Sequence, residues 1–391
     1  MLMKNLFVLC LFLNIFLFAS YGQTGEYRLV WQDTFDGDKL DETVWKIEVN
    51  GDGGGNNELQ YYRKENISVG VEPASGENCL ILTAKKENYG SKVCTSGRLN
   101  TMGKMRFKYG KIEGRIKLPK TANGLWPAFW MMGDDYPNSG VGWPKCGEID
   151  ILEMGNTTGI NRGTQERYFG GHFHWGESWN GGSYPNWGKA MDAPYSLQDD
   201  FHLWTLVWDS NSVKMYLDLD KYPNNTPYLE MAINNGTDPG QAGRYFNKPF
   251  FVILNLAIGG NFTGITGNAN IAKITAFDKA SDGEPKMYID YIKVYQKGDA
   301  GEEYNGPELL SIEETPPVDQ QFKVFCKAGA LSVEGEAEPA KMVLYSLDGL
   351  KMLEVKKSNS VNVSNLPSGI YILKIQTVSG CEEIHKVINN E

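Results

Sequence analysis

Three acids interrupt an otherwise aliphatic run, Glu148-Ile149-Asp150-Ile151-Leu152-Glu153. Ile and Leu favour a half-buried pleated surface, so the run reads as a β-strand. On a strand, residues i and i+2 share a face, which turns Glu148 and Asp150 the same way. Strict alternation would send Glu153 to the opposite face with Ile149 and Ile151. One β-bulge between Asp150 and Glu153 inserts an extra residue and returns Glu153 to the first face. Ile149 and Ile151 then pack beneath a row of three carboxylates. Unpaired buried acids are costly, so the row must face an open cleft or solvent.

Two carboxylates flanking a bond suit glycoside hydrolysis; a retaining arrangement sets them about 5–5.5 Å apart. A third acid between them raises a neighbour's pKa by like-charge repulsion. The other reading is an edge strand with a charged outer face. Upstream, residues 124–132 place Trp126, Ala128, Trp130 and Met132 on one strand face. Two indoles at i and i+4 lie about 13 Å apart, enough to flank two or three sugar rings. A sandwich core strand rich in aromatics is the alternative. Trp143 and Trp175, on either side of the acids, add to the expected aromatic lining.

Strand-like runs recur at 79–84, 110–116, 204–209, 213–218 and 250–256, punctuated by many of the 44 glycines. Val213, Met215 and Leu217 alternate with Lys214, Tyr216 and Asp218, the pattern of a sheet with one solvated face. With no long 3.6-residue period in this region, helices should be few and short.

Taken together, these segments resemble glycoside hydrolase family 16, in its laminarinase-like branch. The bulged acid motif carries the likeness. So do Asn56-Asn57-Glu58-Leu59-Gln60-Tyr61-Tyr62, residues 97–101, 109–115 and 201–204, the 254–261 segment and the closing 287–295 run. The match covers about residues 26–296. It implies an all-β fold, a β-jelly roll of the concanavalin A-like sandwich type, with an aromatic-lined cleft. It implies a secreted retaining endo-glycosidase acting on β-1,3-glucan. Mixed-linkage β-1,3-1,4-glucan is the alternative substrate, and a non-catalytic glucan-binding protein the alternative class. Carried over by position, Glu148 is the nucleophile, Glu153 the acid/base, and Asp150 orients and tunes Glu148. The implied substrate contacts are Trp126, Trp130, Trp143, Arg98, Asn57, Asn255 and His174, the last expected near the acid/base. His172 reads instead as a hydrogen-bonded half-buried ring. No cofactor is implied for catalysis. Relatives of this kind carry a structural calcium, for which Asp290 and a backbone carbonyl at Gly76 are the matching positions. Thr34 stands where an acid is usual.

The 391 residues divide into a signal peptide at 1–22, a catalytic domain at 24–297, an acidic Pro-containing linker at 298–318 and a small C-terminal β-sandwich domain at 319–391. Asp348-Gly349 between apolar runs is a hairpin signal. The tail resembles the sorting domain of the type IX secretion system. It has no Trp, which argues against a carbohydrate-binding module. The expected route is through the periplasm to the cell surface or medium, with the secretion machinery as partner and a monomer as the state. A formal charge of −10 argues against nucleic acid, and no membrane span is expected after signal removal. Cys146 reads as a packing residue, and Cys326 with Cys381 as a candidate disulfide in the tail.

Overall fold

The structure, a computed structural model, describes residues 25–138, 140–236, 238, 240–307, 322–327, 329–335, 339–346, 351–367, 369–377 and 382–389. The expected signal peptide, the Asp348-Gly349 turn and Cys381 lie outside the described residues. The chain divides into two compact units at 309/310.

The first unit is built from two antiparallel sheets. One runs, in spatial order, Asn186–Asp192, Tyr168–His174, Glu148–Met154, Leu125–Gly133, Phe250–Ile258, Arg98–Asn100 and Lys46–Ile47. The other runs Leu229–Ala232, Ser212–Leu217, His202–Trp208, Gly110–Lys117, Lys286–Gln296, Asn78–Thr83 and Ile67–Val71. The expected strands are present, and the α-helices are short, at Thr157–Arg162 and Gly243–Phe246.

Alternation explains the core. Ile149, Ile151 and Leu152 are buried in one cluster with Phe129, Met131, Trp204, Leu206 and Trp208. Burying one such aliphatic side chain contributes about 1.5–3 kcal/mol. Val213 and Met215 turn inward, while Lys214 and Tyr216 remain partly exposed. Asp218 departs from the expected solvated row. It is fully buried, and its carboxylate accepts the Leu203 N–H and the Tyr195 hydroxyl and meets His202 Nδ1 at 2.7 Å. A positive φ of 54° at Asp218 ends the alternation there.

The first unit extends into the stretch expected as linker. Glu303–Asn305 pairs with Arg106–Lys108 as an edge strand of the first unit. The Glu302 carboxylate accepts the N–H groups of Lys297, Gly298 and Asp299 and fixes the turn before it.

In the second unit, Phe322–Lys327, Ala330–Gly335 and Ser360–Asn362 form a three-stranded sheet. Lys351–Lys356, Pro339–Ser346, Gly369–Thr377 and Glu382–Asn389 form a four-stranded one. Phe322, Leu331, Val333, Met342, Leu344 and Leu373 belong to its own buried cluster. The strands flanking the expected hairpin turn do pair, Met342 opposite Val355 and Leu344 opposite Leu353.

Candidate active site

The bulge that returns Glu153 to the acid face lies where the sequence demands it. Against the Trp strand, Trp130 pairs with Asp150 and Phe129 with Leu152, so Ile151 is the extra residue. Against Tyr168–His174, Asp150 pairs with His172 and Glu153 with Gly170. The Ile151 carbonyl, freed from the ladder, accepts the Tyr228 hydroxyl from below. Gly155 closes the strand at φ 99°; a Cβ there would lie 1.9 Å from the Leu125 carbonyl oxygen.

Each outer glutamate receives one indole N–H. Trp143 Nε1 donates to Glu148 Oε2 at 2.9 Å, and Trp126 Nε1 donates to Glu153 Oε1 at 3.1 Å. His172 Nδ1 meets the other Glu153 oxygen at 2.7 Å. His174 Nε2 lies 3.4 Å from Asp150 Oδ2 and 4.0 Å from Glu148 Oε1, while its Nδ1 meets the Tyr184 hydroxyl at 3.2 Å. His172 is thus the hydrogen-bonded, half-buried ring expected of it, with Glu153 as its partner, whereas His174, expected near the acid/base, attends Asp150 and Glu148. Gly188 makes this arrangement possible, since a Cβ there would come within 2.0 Å of His172 Cδ2.

These groups open onto a cleft of about 830 Å³ lined in part by Trp126, Trp130, Trp143, Arg98 and Asn255. Trp130 Nε1 donates to Asn255 Oδ1 at 2.7 Å, and the Arg98 guanidinium lies 5.0 Å from the Trp130 ring centre. Glu48 holds Arg98 Nε at 3.0 Å and accepts Asn100 Nδ2 at 2.6 Å. Trp126 stacks on Phe262 at 4.5 Å and 10°, so one indole face is already covered.

Two expected contacts are not where they were assigned. Asn57 is exposed and donates to Asn261 Oδ1 at 3.0 Å; its neighbour Asn56 lines the cleft instead. Trp175 is buried in the core and donates to the Gly240 carbonyl, because it shares the inward face with Phe173. Sequence reasoning missed Tyr184, Trp179, Phe251 and Ile253, which also line the cleft. For Phe251 and Ile253 the signal was available, since both alternate with Asn255 on one face.

The electrostatics are those of crowded acids. Burial, then the Asp150 charge, pushes Glu148 up to about 8, against His174 and the Trp143 N–H. Burial and the Glu153 charge hold Asp150 well above the usual carboxylate range. Burial opposes charge on His172, but the hydrogen bond to Glu153 and its charge outweigh it, so that pKa is raised. Cys146 is buried beneath the cleft, its thiol pushed up to about 12 by burial first.

The expected calcium position does not fit a calcium ion. Asp290 Oδ2 accepts Arg115 Nη1 at 2.6 Å, and the same guanidinium lies 3.8 Å from Glu77. Calcium asks for six to eight oxygens at about 2.3–2.6 Å. A guanidinium already supplies the positive charge beside Asp290. Gly76 occupies a turn at φ 79°, its N–H bonded to the Glu72 carbonyl. Among the described residues, the groups of three or more His, Cys, Asp or Glu able to hold an ion are both made of the acid row and its two histidines.

Residues 60–242 match the family model of the glycosyl hydrolases family 16, and residues 317–390 match the secretion system C-terminal sorting domain. The chain is similar to the clotting factor G alpha subunit of Tachypleus tridentatus, 37% identical over 276 residues. That match covers 69% of this chain and 34% of the relative, so the chain spans about a third of that protein's length. A Bacteroides ovatus mixed linkage glucan GH16 protein, solved in complex with a G4G4G3G product, is 38% identical with a TM-score of 0.56. The likeness covers 68% of this chain and 99% of that one. The catalytic domain of an endo-1,3-beta-glucanase (laminarinase) from Thermotoga petrophila is 33% identical with a TM-score of 0.55, covering 70% of this chain and 99% of that one.

Proposed function

The chain belongs to glycosyl hydrolase family 16, and from that premise we propose that it is a secreted, retaining endo-hydrolase of β-1,3-glucan. The observation that carries the reading is the row of three carboxylates on one bulged strand, each outer one held by an indole N–H in a Trp-lined cleft. In the first step, Glu148 attacks the anomeric carbon while Glu153 gives its proton to the glycosidic oxygen, and the leaving sugar departs. The Trp143 N–H holds Oε2, which leaves Oε1 for attack. In the second step, Glu153 takes a proton from water, and that water displaces Glu148 from the anomeric carbon. Two inversions give net retention.

After burial, the Asp150 charge is what most raises Glu148. A proton on Asp150 removes the repulsion that raises Glu148, so the nucleophile ionises more readily. His172 positions Glu153 through the 2.7 Å contact at Nδ1. Arg98 over Trp130, with Asn255 and Asn56, supports binding of a neutral sugar chain on one side of the acids, since Arg98 is already paired with Glu48. All three acids are present, which weighs against a binding protein that has lost catalysis. Mixed-linkage glucan is the second reading, favoured by the 38% identity to the Bacteroides ovatus protein. Product analysis on laminarin, barley glucan and agarose tests the assignment. Laminarin should be cut fastest, and activity on agarose alone would overturn it.

Residues 319–391 address the protein outward and take no part in hydrolysis. Because Glu303–Asn305 belongs to the first unit, truncation belongs after Pro307 rather than after Lys297. Equal rates of the truncated and full chains on soluble and insoluble glucan support this role. A loss confined to the insoluble form would make the tail a binding module.

A further inference from the structure

His174 has two nitrogens with different surroundings. Nδ1 meets the Tyr184 hydroxyl at 3.2 Å. Nε2 faces Asp150 Oδ2 at 3.4 Å and Glu148 Oε1 at 4.0 Å, and one donor atom from each of the three residues lies within 4.8 Å of the others. Zinc binds imidazole nitrogen and carboxylate oxygen at about 2.0–2.2 Å, so two ligands of a tetrahedral site lie about 3.3 Å apart. The His174–Asp150 separation of 3.4 Å already matches that edge, and Glu148 Oε1, 4.0 Å from Nε2, must move closer to complete the site. Asp150 is 5% exposed, and apart from His174 no described side chain bonds its carboxylate. Trp143 holds the far oxygen of Glu148 and leaves Oε1 turned toward the gap. A ligating His is ordinarily fixed through its other ring nitrogen, the place Tyr184 takes here. The second group, Asp150, Glu153 and His172, is less suited, because the 2.7 Å contact between His172 and Glu153 is already closed by a hydrogen bond.

We propose that His174 Nε2, Asp150 Oδ2 and Glu148 Oε1 form a binding site for one divalent ion of the zinc class, and that the bound ion excludes glucan from the cleft. One imidazole and two carboxylates suit zinc or copper; calcium and magnesium prefer all-oxygen cages. Ion binding stands on these three residues alone. The exclusion of substrate rests on the hydrolase reading, since it requires Glu148 to be the attacking group.

The test is calorimetric titration of the full chain, freed of metal by a chelator and dialysed, with zinc chloride and separately with calcium chloride. One zinc per chain and no calcium heat are expected. His174→Ala and His174→Gln should each weaken zinc at least about tenfold, and Tyr184→Phe by less. A saturating β-1,3-gluco-oligosaccharide should weaken zinc binding to the wild-type chain, and this holds as a test even if a variant fails to fold. Unchanged zinc affinity in folded His174→Ala, or loss in His172→Ala with binding kept in His174→Ala, would overturn the site. Zinc binding by a chain that cuts no glucan would leave the site standing and remove the hydrolase reading. Glucan cutting without zinc binding would do the reverse.

Discussion

Around the sheet that carries Gly110–Lys117, four acids each meet a lysine or arginine. Asp290 meets Arg115, Glu113 meets Lys111, Glu72 meets Lys117 and Glu230 meets Lys214. On the other sheet, Glu148, Asp150 and Glu153 meet no lysine or arginine among the described residues. Their neighbours are two imidazoles and two indole N–H groups. The same fold therefore pairs these four acids with cations and crowds the three of the bulged strand together. Burial first, and then the neighbouring Asp150 charge, moves Glu148 up to about 8, an arrangement that costs stability. A fold keeps such a cost where the chemistry uses it.

Glu148→Gln removes the proposed attacking group and should lower kcat on laminarin by on the order of 10⁴-fold or more, with the fold and glucan binding retained. Unchanged hydrolysis would remove Glu148 from the reaction. Asp150→Asn keeps the shape and deletes one charge of the crowded row. The loss in kcat should be smaller, about 10- to 100-fold, the size of a one- to two-unit pKa change. The sign of its pH effect follows from the cause. Ionised Glu148 is needed, activity falls as pH drops through its pKa, and the Asp150 charge raises that pKa. Asp150→Asn should therefore move the acid limb of kcat/KM to lower pH; a limb that stays in place or rises separates Asp150 from the tuning of Glu148.

His172→Ala loses one hydrogen bond to Glu153 and should cost about tenfold in kcat, with KM little changed. If the loss appears in KM alone, His172 binds sugar rather than positioning the acid. Arg115→Met, which breaks the pair with Asp290, should leave turnover intact and lower stability by about 1 kcal/mol or less, as partly exposed ion pairs do. Turnover of the wild-type chain should also survive chelation. A calcium-dependent melting temperature would restore an ion to the Asp290 position.

Much of this was legible because strand parity is a local property. The aliphatic partners of the acid run demanded a buried face, and only a bulge could bring Glu153 back. Trp126 and Trp130 followed from the same two-residue period. Parity alone also places Trp175 with Phe173 in the core. The choice between His172 and His174 was not legible. Both face the acid row, and which meets Glu153 depends on a bulged register with a strand some twenty residues away. Asp290 was read from its position in a motif, while its partner Arg115 is 175 residues distant in sequence. Glu303–Asn305 was hidden because a three-residue acidic edge strand carries no alternation to detect.

Glu153→Ala, assayed with azide on an aryl β-1,3-gluco-oligosaccharide bearing a good leaving group, reads the division of roles directly. With Glu148 as nucleophile, the glycosyl–enzyme intermediate still forms, and azide attacks it without needing a general base. The rate should recover with added azide, and the product should be the β-glycosyl azide. An α-glycosyl azide would exchange the roles of Glu148 and Glu153 and contradict the mechanism.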